Sequence, residues 1–283
     1  MNHILACIDA STYATSVVDL AAWAANQLHT DVDLLHVVQR KDAVASRNDH
    51  SGAIGLGVKT ELLEELTRIE AAGSRLAVEE GRILLDAGIA RLRAAGVEAK
   101  PLHRHGGIVE TIVEREAEAS LVIIGKRGAS GEFATDHLGS KVERVARAST
   151  RPVLVASRVM SQPQTAVIAY DGSPAAQKAV AFVASSPLFT DLPIHIVIAG
   201  AKNASRRGLF DHALASLSER REPPHCFLVD DGAEKVIGDH ILQHQGSLLV
   251  MGAYGHSPLR TLIVGSTTTA MVRTVHVPVL LIR

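Results

Sequence analysis

The chain has 283 residues, of which 47% are hydrophobic and 21% charged, and its formal net charge is −1. This length predicts two globular domains, and the near-neutral charge argues against nucleic acid as a partner. No apolar run approaches the roughly 18 residues that cross a bilayer, so we expect no membrane span. No basic segment precedes the first apolar run, so we expect no signal peptide. The only cysteines, Cys7 and Cys226, fall in strand-like runs, which predicts buried thiols without a disulfide framework and a cytoplasmic location.

Short apolar runs alternate with stretches of helical spacing along the first half of the chain. This pattern predicts strands at 4–8, 32–38, 97–103, 121–124 and 153–156, and helices at 11–28, 58–95, 108–119 and 140–148. Gly73, Gly81 and Gly88 lie inside the second helix, where we expect a break or a kink. Strands that alternate with helices are typical of a parallel sheet covered on both faces.

The same pattern begins again after a polar linker. Asp171 and Ser173 follow an apolar run as Asp9 and Ser11 do, at an offset of 162 residues, whereas Gly252 follows Gly125 at an offset of 127. The difference places 35 additional residues in the first copy, in an insertion at about 41–75. We therefore predict two copies of one α/β unit, 1–158 and 165–283.

The end of the second copy combines glycines with a predicted helix start. An apolar run that includes Met251 stops at Gly252, and Gly255, Gly265 and Ser266 precede the helical stretch. Glycines let a backbone approach a ligand closely, and the N-terminus of a helix offers unpaired N–H groups to an anion. From the glycines alone, an ordinary turn explains this pattern as well as an anion site does.

Both halves resemble universal stress protein domains, and the whole chain resembles a tandem member of that family. The similarity covers the chain except for the insertion and the linker. Its strongest motif is Gly-x-x-Gly followed, after nine residues, by Gly-Ser/Thr. The second half matches this motif. The resemblance implies two open five-stranded parallel sheets, Rossmann-like with strand order 3-2-1-4-5. It also implies ATP at the carboxyl ends of the strands and dimerisation through the last strand of each unit. Because both last strands are apolar and lie at sheet edges, we expect them to pair antiparallel as an internal pseudo-dimer. A further homodimer would use other surfaces, such as the long helix.

The resemblance implies an adenine-nucleotide site, which we expect mainly in the second half. Bound Mg²⁺ is left open. The expected ATP contacts are Asp171, Ile198, Met251, Gly252, Gly255, Gly265, Ser266 and Thr267, with a second set in the first half at Asp9, Val37, Gly125, Gly128, Gly139 and Ser140. By pattern alone, the two aspartates could cap helices instead, and Val37 and Ile198 could be ordinary buried strand residues.

Two departures from the family motif argue against nucleotide binding by the first half. Ten residues rather than nine separate Gly128 from Gly139, and Glu143 follows Ser140 by three residues. A carboxylate in that position forms a capping box and competes with phosphate for the helix N-terminus. Lys126 and Arg127 argue the other way, so nucleotide binding by the first half stays open.

Several histidines allow a second kind of site. His240 and His244 have the i, i+4 spacing of metal ligands on a helix. No further ligand set is identifiable, so a solvated helix face is the favoured interpretation and the metal is unknown. His103 and His105 are interpreted as ordinary residues at a strand end.

The first functional hypothesis is an ATP-binding regulatory protein of the stress response that performs no chemistry. An enzyme, either a slow ATP hydrolase or a phosphate-transferring protein, is the alternative, although no general base is evident beside the predicted anion site. A third hypothesis is a protein-interaction scaffold with incidental nucleotide binding, whose protein partner is unknown.

Overall fold

The computed structural model describes residues 3–38, 56–128, 140–253 and 266–283. In the first half, the strands and helices in chain order are β1 (His3–Ile8), α1 (Ala14–Leu28), β2 (Val32–Val38), α2 (Leu56–Ala94), β3 (Ala99–His105), α3 (Ile108–Arg115), β4 (Ala119–Gly125), α4 (Ser140–Ala148) and β5 (Val153–Ala156). In the second half they are β6 (Thr165–Ala169), α5 (Pro174–Ser185), β7 (Ile194–Ala199), α6 (Ala204–Ser216), β8 (His225–Val229), α7 (Ala233–Gln243), β9 (Ser247–Gly252), α8 (Ser266–Thr274) and β10 (Val279–Ile282).

The strands form one sheet of ten, in the order β3-β2-β1-β4-β5-β10-β9-β6-β7-β8. Each half contributes five parallel strands in the order 3-2-1-4-5. The halves meet where β5 and β10 pair antiparallel, with Leu280 opposite Leu154. This arrangement confirms the predicted fold class and the pairing of the two apolar edge strands. The boundaries at 158 and 165 stay a prediction.

Alternating side chains of the central strands supply two core layers, one on each face of the sheet. Ile4 and Leu34 belong to the layer under α1 and α2, whereas Leu5 and Leu35 belong to the layer that includes Val145 of α4. Both layers continue from one half into the other. A sheet buried on both faces explains why its strands appear as continuous apolar runs in the sequence.

Polar contacts also connect the halves. The Lys126 Nζ donates to the carbonyl oxygen of Val275 at 2.8 Å, and Arg283 Nη1 donates to the carbonyl oxygen of Arg147 at 2.5 Å. Burial, followed by the nearby charge of Arg127, lowers the pKa of Lys126 to about 8. Lys126, which argued for an anion site in the first half, is therefore engaged at the junction of the halves.

Helix α2 is continuous over its 39 residues, so the predicted break is wrong. A Cβ atom at Gly81 would lie 2.4 Å from the Nδ1 of His36, and one at Gly88 would lie 2.5 Å from the Cδ2 of Leu34. These glycines let the helix approach β2 more closely than any other residue would. Where its side chains do not contact the sheet, α2 leaves several apolar residues exposed, namely Leu66, Ile69, Leu76 and Ile83. The further homodimer through this helix stays a prediction.

Both cysteines are free thiols, and only Cys7 is buried. Burial raises the pKa of its thiol well above the usual range. Cys226 is exposed because β8 lies at the edge of the sheet, so the prediction of a core position was wrong for this residue. Among the described residues, no helix combines the length and the apolar character that a membrane crossing requires.

Candidate functional site

A cavity of about 200 Å³ opens in the second half at the carboxyl ends of β6, β7 and β9. Four of the predicted contacts line it, and they come from three separate segments: Asp171, Met251, Gly252 and Thr267. In open parallel sheets, ligands bind at this edge, where the strand order reverses. The structure thus brings these four residues together where a ligand of the fold would lie.

The turn from β6 into α5 places Asp171 at the rim of this cavity. The Oδ1 of Asp171 accepts a hydrogen bond from the Ser173 backbone N–H at 2.9 Å, across Gly172 with its φ of +80°. Ser173 is the N-cap of α5, and its Oγ accepts from the Ala176 N–H at 3.2 Å. Because Ser173 performs the capping, the alternative of Asp171 as the helix cap does not hold.

Gly252 is required by packing, whatever binds beside it. A Cβ atom there would lie 2.5 Å from both the carbonyl carbon of Ala175 and the nitrogen of Ala176. The end of β9 therefore contacts the first turn of α5 directly. Any larger residue would separate strand and helix and distort the cavity.

The first turn of α8 closes the cavity from the other side. Thr267 lines it, and Thr268 is buried beside it with its Oγ1 at 3.4 Å from the carbonyl oxygen of Gly252. The first turn of α8 contains no acidic residue, whereas α4 carries Glu143 in the same turn. The Glu143 carboxylate accepts a hydrogen bond from Arg147 at 2.7 Å. Gly255 and Gly265 lie outside the described residues, as does the side chain of Ser266.

Ile198 does not line the cavity. It is 0% exposed and belongs to the core layer on the opposite face of the sheet, while Val197 and Ala199 line the cavity. The pairings of Ile4 with Val32 and of Ala166 with Ile194 show that Ala199, not Ile198, is the counterpart of Val37. A slip of one residue along a strand inverts the face, so this prediction was wrong.

Arg206 is a cavity residue that the sequence did not reveal. It lies in the first turn of α6, where its backbone N–H donates to the Oδ1 of the N-cap Asn203 at 2.9 Å. Its guanidinium passes over Gly200, whose φ is +111°, and a Cβ there would lie 3.4 Å from the Arg206 Nη2. The signal in the sequence that could have identified Arg206 was a cationic residue in the first turn of a helix that follows a strand, at the carboxyl edge of the sheet.

The first half contains a matching cavity, also of about 200 Å³. Asp9, Gly125 and Gly128 line it, together with Arg127 and Lys141. A Cβ at Gly128 would lie 2.8 Å from the Oδ2 of Asp9, so that carboxylate lies directly against Gly128. Val37 is buried in the core and does not line the cavity. Gly139 and the side chain of Ser140 lie outside the described part of the chain.

A cluster of histidines lies near the other end of β7. His195 and His240 are 8% and 7% exposed, and the His195 Nδ1 lies 2.9 Å from the His240 Nε2. The favoured interpretation of His240 as part of a solvated face was therefore wrong, because α7 turns this residue onto β7. Burial, and then the neighbouring histidines, lower the pKa of both imidazoles to about 4. His195, His240 and His244 each offer one nitrogen, and these atoms lie within 4.8 Å of one another.

A second histidine pair lies in the first half, between β2, β3 and α2. The rings of His36 and His103 are 5.2 Å apart between centroids. The Nδ1 of His36 and the Nε2 of His103 are buried without a hydrogen-bond partner among the described residues. His103 is thus partly enclosed, contrary to its interpretation as an ordinary strand-end residue. Burial lowers the pKa of both histidines.

The model of the Universal stress protein family matches the chain twice, at residues 1–157 and 163–283. Universal stress protein Slr1230 of Synechocystis sp. is 34% identical over 288 residues, which cover 100% of both chains. A universal stress protein from Archaeoglobus fulgidus superposes with a TM-score of 0.73 at 19% identity, covering 100% of this chain and 98% of the other. A putative universal stress protein from Pseudomonas aeruginosa gives 0.64 at 17% identity, covering 100% and 93%. At these identities, the two solved structures show the shared fold.

Proposed function

Because this chain belongs to the universal stress protein family, we propose that it is an adenine-nucleotide-binding regulatory protein of the stress response. The proposed ligand is ATP, held in the cavity of the second half. The observation that carries the proposal is the meeting of Asp171, Met251, Gly252 and Thr267 at one cavity beside an acid-free helix start.

The walls of this cavity suit the two ends of a nucleotide. Val197, Ala199, Ile237 and Met251 form an apolar wall on which a purine ring can pack. The N-terminus of α8 offers its N–H groups and positive dipole end to phosphates. Asp171 lies at the rim of the same cavity, where its carboxylate can accept hydrogen bonds from a ribose or an adenine amine. A ligand with an aromatic base and an anionic tail satisfies all three features.

The proposal favours the second half over the first. Each cavity has a volume of about 200 Å³, and the preference rests on charge. In the first half, the Asp9 carboxylate lines the cavity and approaches Gly128, and Glu143, which accepts a hydrogen bond from Arg147, adds a negative charge in the first turn of α4. Arg127 and Lys141 offset part of that negative charge. We propose one high-affinity site per chain.

The test is calorimetric titration of the full chain with ATP, with and without Mg²⁺, and with GTP as the competing purine nucleotide. We expect one ATP per chain and weaker GTP binding. No saturable binding of ATP would contradict the proposal, and two equal sites would contradict its asymmetry. Phosphate release measured on the same samples would separate a binding protein from the alternative of a slow hydrolase.

We also propose the cytoplasm as the compartment of the protein, on the grounds of its two unbridged cysteines. Fractionation of the cells that express it would test this location.

A further inference from the structure

We propose that His195, His240 and His244 form a binding site for a divalent transition metal ion, with Zn²⁺ as the default occupant. The site lies between β7 and α7, away from the nucleotide cavity. It uses three imidazole ligands and leaves a fourth position to water. Three histidines with one open position are an established ligand set for zinc.

The distances among the ligand nitrogens suit such an ion. Two nitrogens bound to a tetrahedral zinc at about 2.0–2.1 Å are about 3.4 Å apart. The His195 Nδ1 and His240 Nε2 are 2.9 Å apart, and all three ligand atoms lie within 4.8 Å of one another. Small rotations of the rings would bring them to a common ion. The proton that His195 and His240 share would then move to the outer nitrogen of one ring.

The third ligand is already oriented by the backbone. The Nδ1 of His244 lies 2.9 Å from the carbonyl oxygen of His240, which can only accept a hydrogen bond. The His244 proton is therefore on Nδ1, and Nε2 presents its lone pair. Metal-bound histidines commonly hold their second nitrogen in this way.

The position of His244 is fixed although it follows the last residue of α7. Its backbone N–H donates to the carbonyl oxygen of His240 at 3.1 Å, and its own carbonyl oxygen accepts from the Oγ of the buried Ser247. Ser247 begins β9, so the end of α7 is tied to the sheet. The three ligands thus come from elements whose relative positions the core already determines.

The fold itself does not require histidines here. In the first half, the counterpart of His195 is Asp33, since Leu5 pairs with Asp33 as Val167 pairs with His195. The eighth residue after the N-cap glycine is His240 in α7 and Arg115 in α3. The corresponding positions of β2 and α3 therefore pack without a histidine, and Asp33 instead lies 3.1 Å from the Nε2 of His3 on β1. Three imidazoles in mutual contact in the second half call for a separate explanation, and a metal ion supplies it.

Neighbouring groups define the limits of the site. Phe227 packs against the His240 ring at a centroid distance of 4.5 Å and shields that side. His225 lies opposite His195 on β8, with ring centroids 5.3 Å apart, but its side chain is exposed and it does not belong to the group of three. It serves as a matched control, because its removal takes away a nearby imidazole without removing a proposed ligand.

The experiment uses the full, untagged chain after removal of metal with a chelator. Zn²⁺ is titrated in competition with a chromophoric chelator, and Co²⁺ is added in parallel to report coordination by its visible absorption. We expect one ion per chain and a Co²⁺ spectrum of tetrahedral type with nitrogen ligands. Because loss of a group that only hydrogen-bonds to a metal ligand weakens metal affinity about 10–100-fold, loss of a ligand in His240→Gln should weaken it by at least about 100-fold.

His240 is buried, so His244→Gln at the half-buried position provides a second variant that disturbs the core less. It should lose a comparable factor of affinity while retaining the circular dichroism spectrum of the wild type. His225→Gln should bind within about threefold of the wild type. The site is refuted if the wild type shows no stoichiometric binding or if His240→Gln and His244→Gln bind as it does. An equally large loss in His225→Gln would refute the three-histidine ligand set.

Discussion

At the scale of single residues, corresponding positions in the two halves have different surroundings. Asp9 and Asp171 both accept a hydrogen bond from the backbone N–H two residues later, at 3.1 and 2.9 Å. The Asp9 carboxylate also covers Gly128, whereas Asp171 is exposed at the rim of its cavity. Their equal backbone role makes the two aspartates a matched pair for locating the nucleotide.

We predict that Asp171→Ala weakens ATP binding at least tenfold, which corresponds to about 1.4 kcal/mol. The reason is the loss of the carboxylate that faces the ligand in the second half. Asp9→Ala should change the affinity by less than about threefold. Calorimetric titration of both variants measures the effect. Equal losses in the two variants would contradict the assignment of the high-affinity site to the second half.

A second residue-scale prediction concerns His36. Burial lowers its pKa, His103 lowers it further, and Asp9 and Glu80 act in the opposite direction. In the unfolded chain a histidine titrates near pH 6.5, so below that pH the unfolded state binds protons that the folded state does not. The stability contributed by neutral His36 is therefore complete above about pH 6.5 and is lost as the pH falls towards its lowered folded pKa.

The free energy of unfolding should fall between about pH 7.5 and about pH 5.5, and His36→Leu should reduce that fall. Urea denaturation at the two pH values measures it. His276→Gln, at an exposed histidine, is the control for the loss of an imidazole as such. A fall of the same size in His36→Leu as in the wild type would show that other groups cause it.

At the scale of an element, α2 shows how one helix tolerates glycines for different reasons. Gly81 and Gly88 lie where the helix presses on β2, whereas a Cβ at Gly73 would meet nothing within 4 Å. The intrinsic preference of alanine for a helix favours substitution at all three positions by about 1 kcal/mol. Steric contact opposes it only where the helix touches the sheet.

We therefore predict opposite effects from two identical substitutions. Gly73→Ala should stabilise α2 by about 0.5–1 kcal/mol, because the exposed helix gains propensity at no steric cost. Gly81→Ala should destabilise the chain by about 1–3 kcal/mol, because the new methyl group overlaps the rings of His36 and His103. Denaturant unfolding and amide hydrogen exchange in α2 measure both. Stabilisation by Gly81→Ala would show that α2 does not approach the sheet as closely as the structure shows.

At the scale of the whole molecule, the junction of β5 and β10 turns two sheets into one. Leu154 and Leu280 face each other across it, and both are 0% exposed. Opposite residues of antiparallel strands are about 4.5–5.5 Å apart, so these side chains interact directly. The core layers continue through the junction, which predicts that the halves unfold together.

Leu154→Ala and Leu280→Ala should each reduce the free energy of unfolding by about 2–5 kcal/mol through lost burial and cavity formation. Since the two residues share one contact, the double variant should cost less than the sum, with a coupling of about 0.5–3 kcal/mol. Urea denaturation of the wild type, the two single variants and the double variant measures this coupling. Val159→Ala, at a side chain that is 77% exposed, is the control and should change stability by less than about 0.5 kcal/mol.

Additive effects at Leu154 and Leu280, together with two separate unfolding transitions, would contradict a shared core.

The sequence by itself determined the features that depend on neighbouring residues. Apolar runs and helical spacing identified the strands and helices, and the offset between Asp9 and Asp171 identified the repeat. The apolar character of both final strands, together with the edge position that the family resemblance implies for them, predicted the antiparallel junction, since two exposed edges cover each other. Such features can be predicted because hydrophobic periodicity is a strong signal that depends only on residues close together in the sequence.

Only the tertiary structure decided which distant side chains meet. One residue of register separates Ile198, in the opposite core layer, from Ala199, in the cavity, and the apolar pattern of a strand buried on both faces does not distinguish them. His195 and His240 are 45 positions apart in the sequence, and they meet because α7 packs on β7 in one particular orientation. The packing of α7 on β7 depends on the complete core. The i, i+4 spacing therefore identified His240 and His244 from the sequence, and only the fold identified His195.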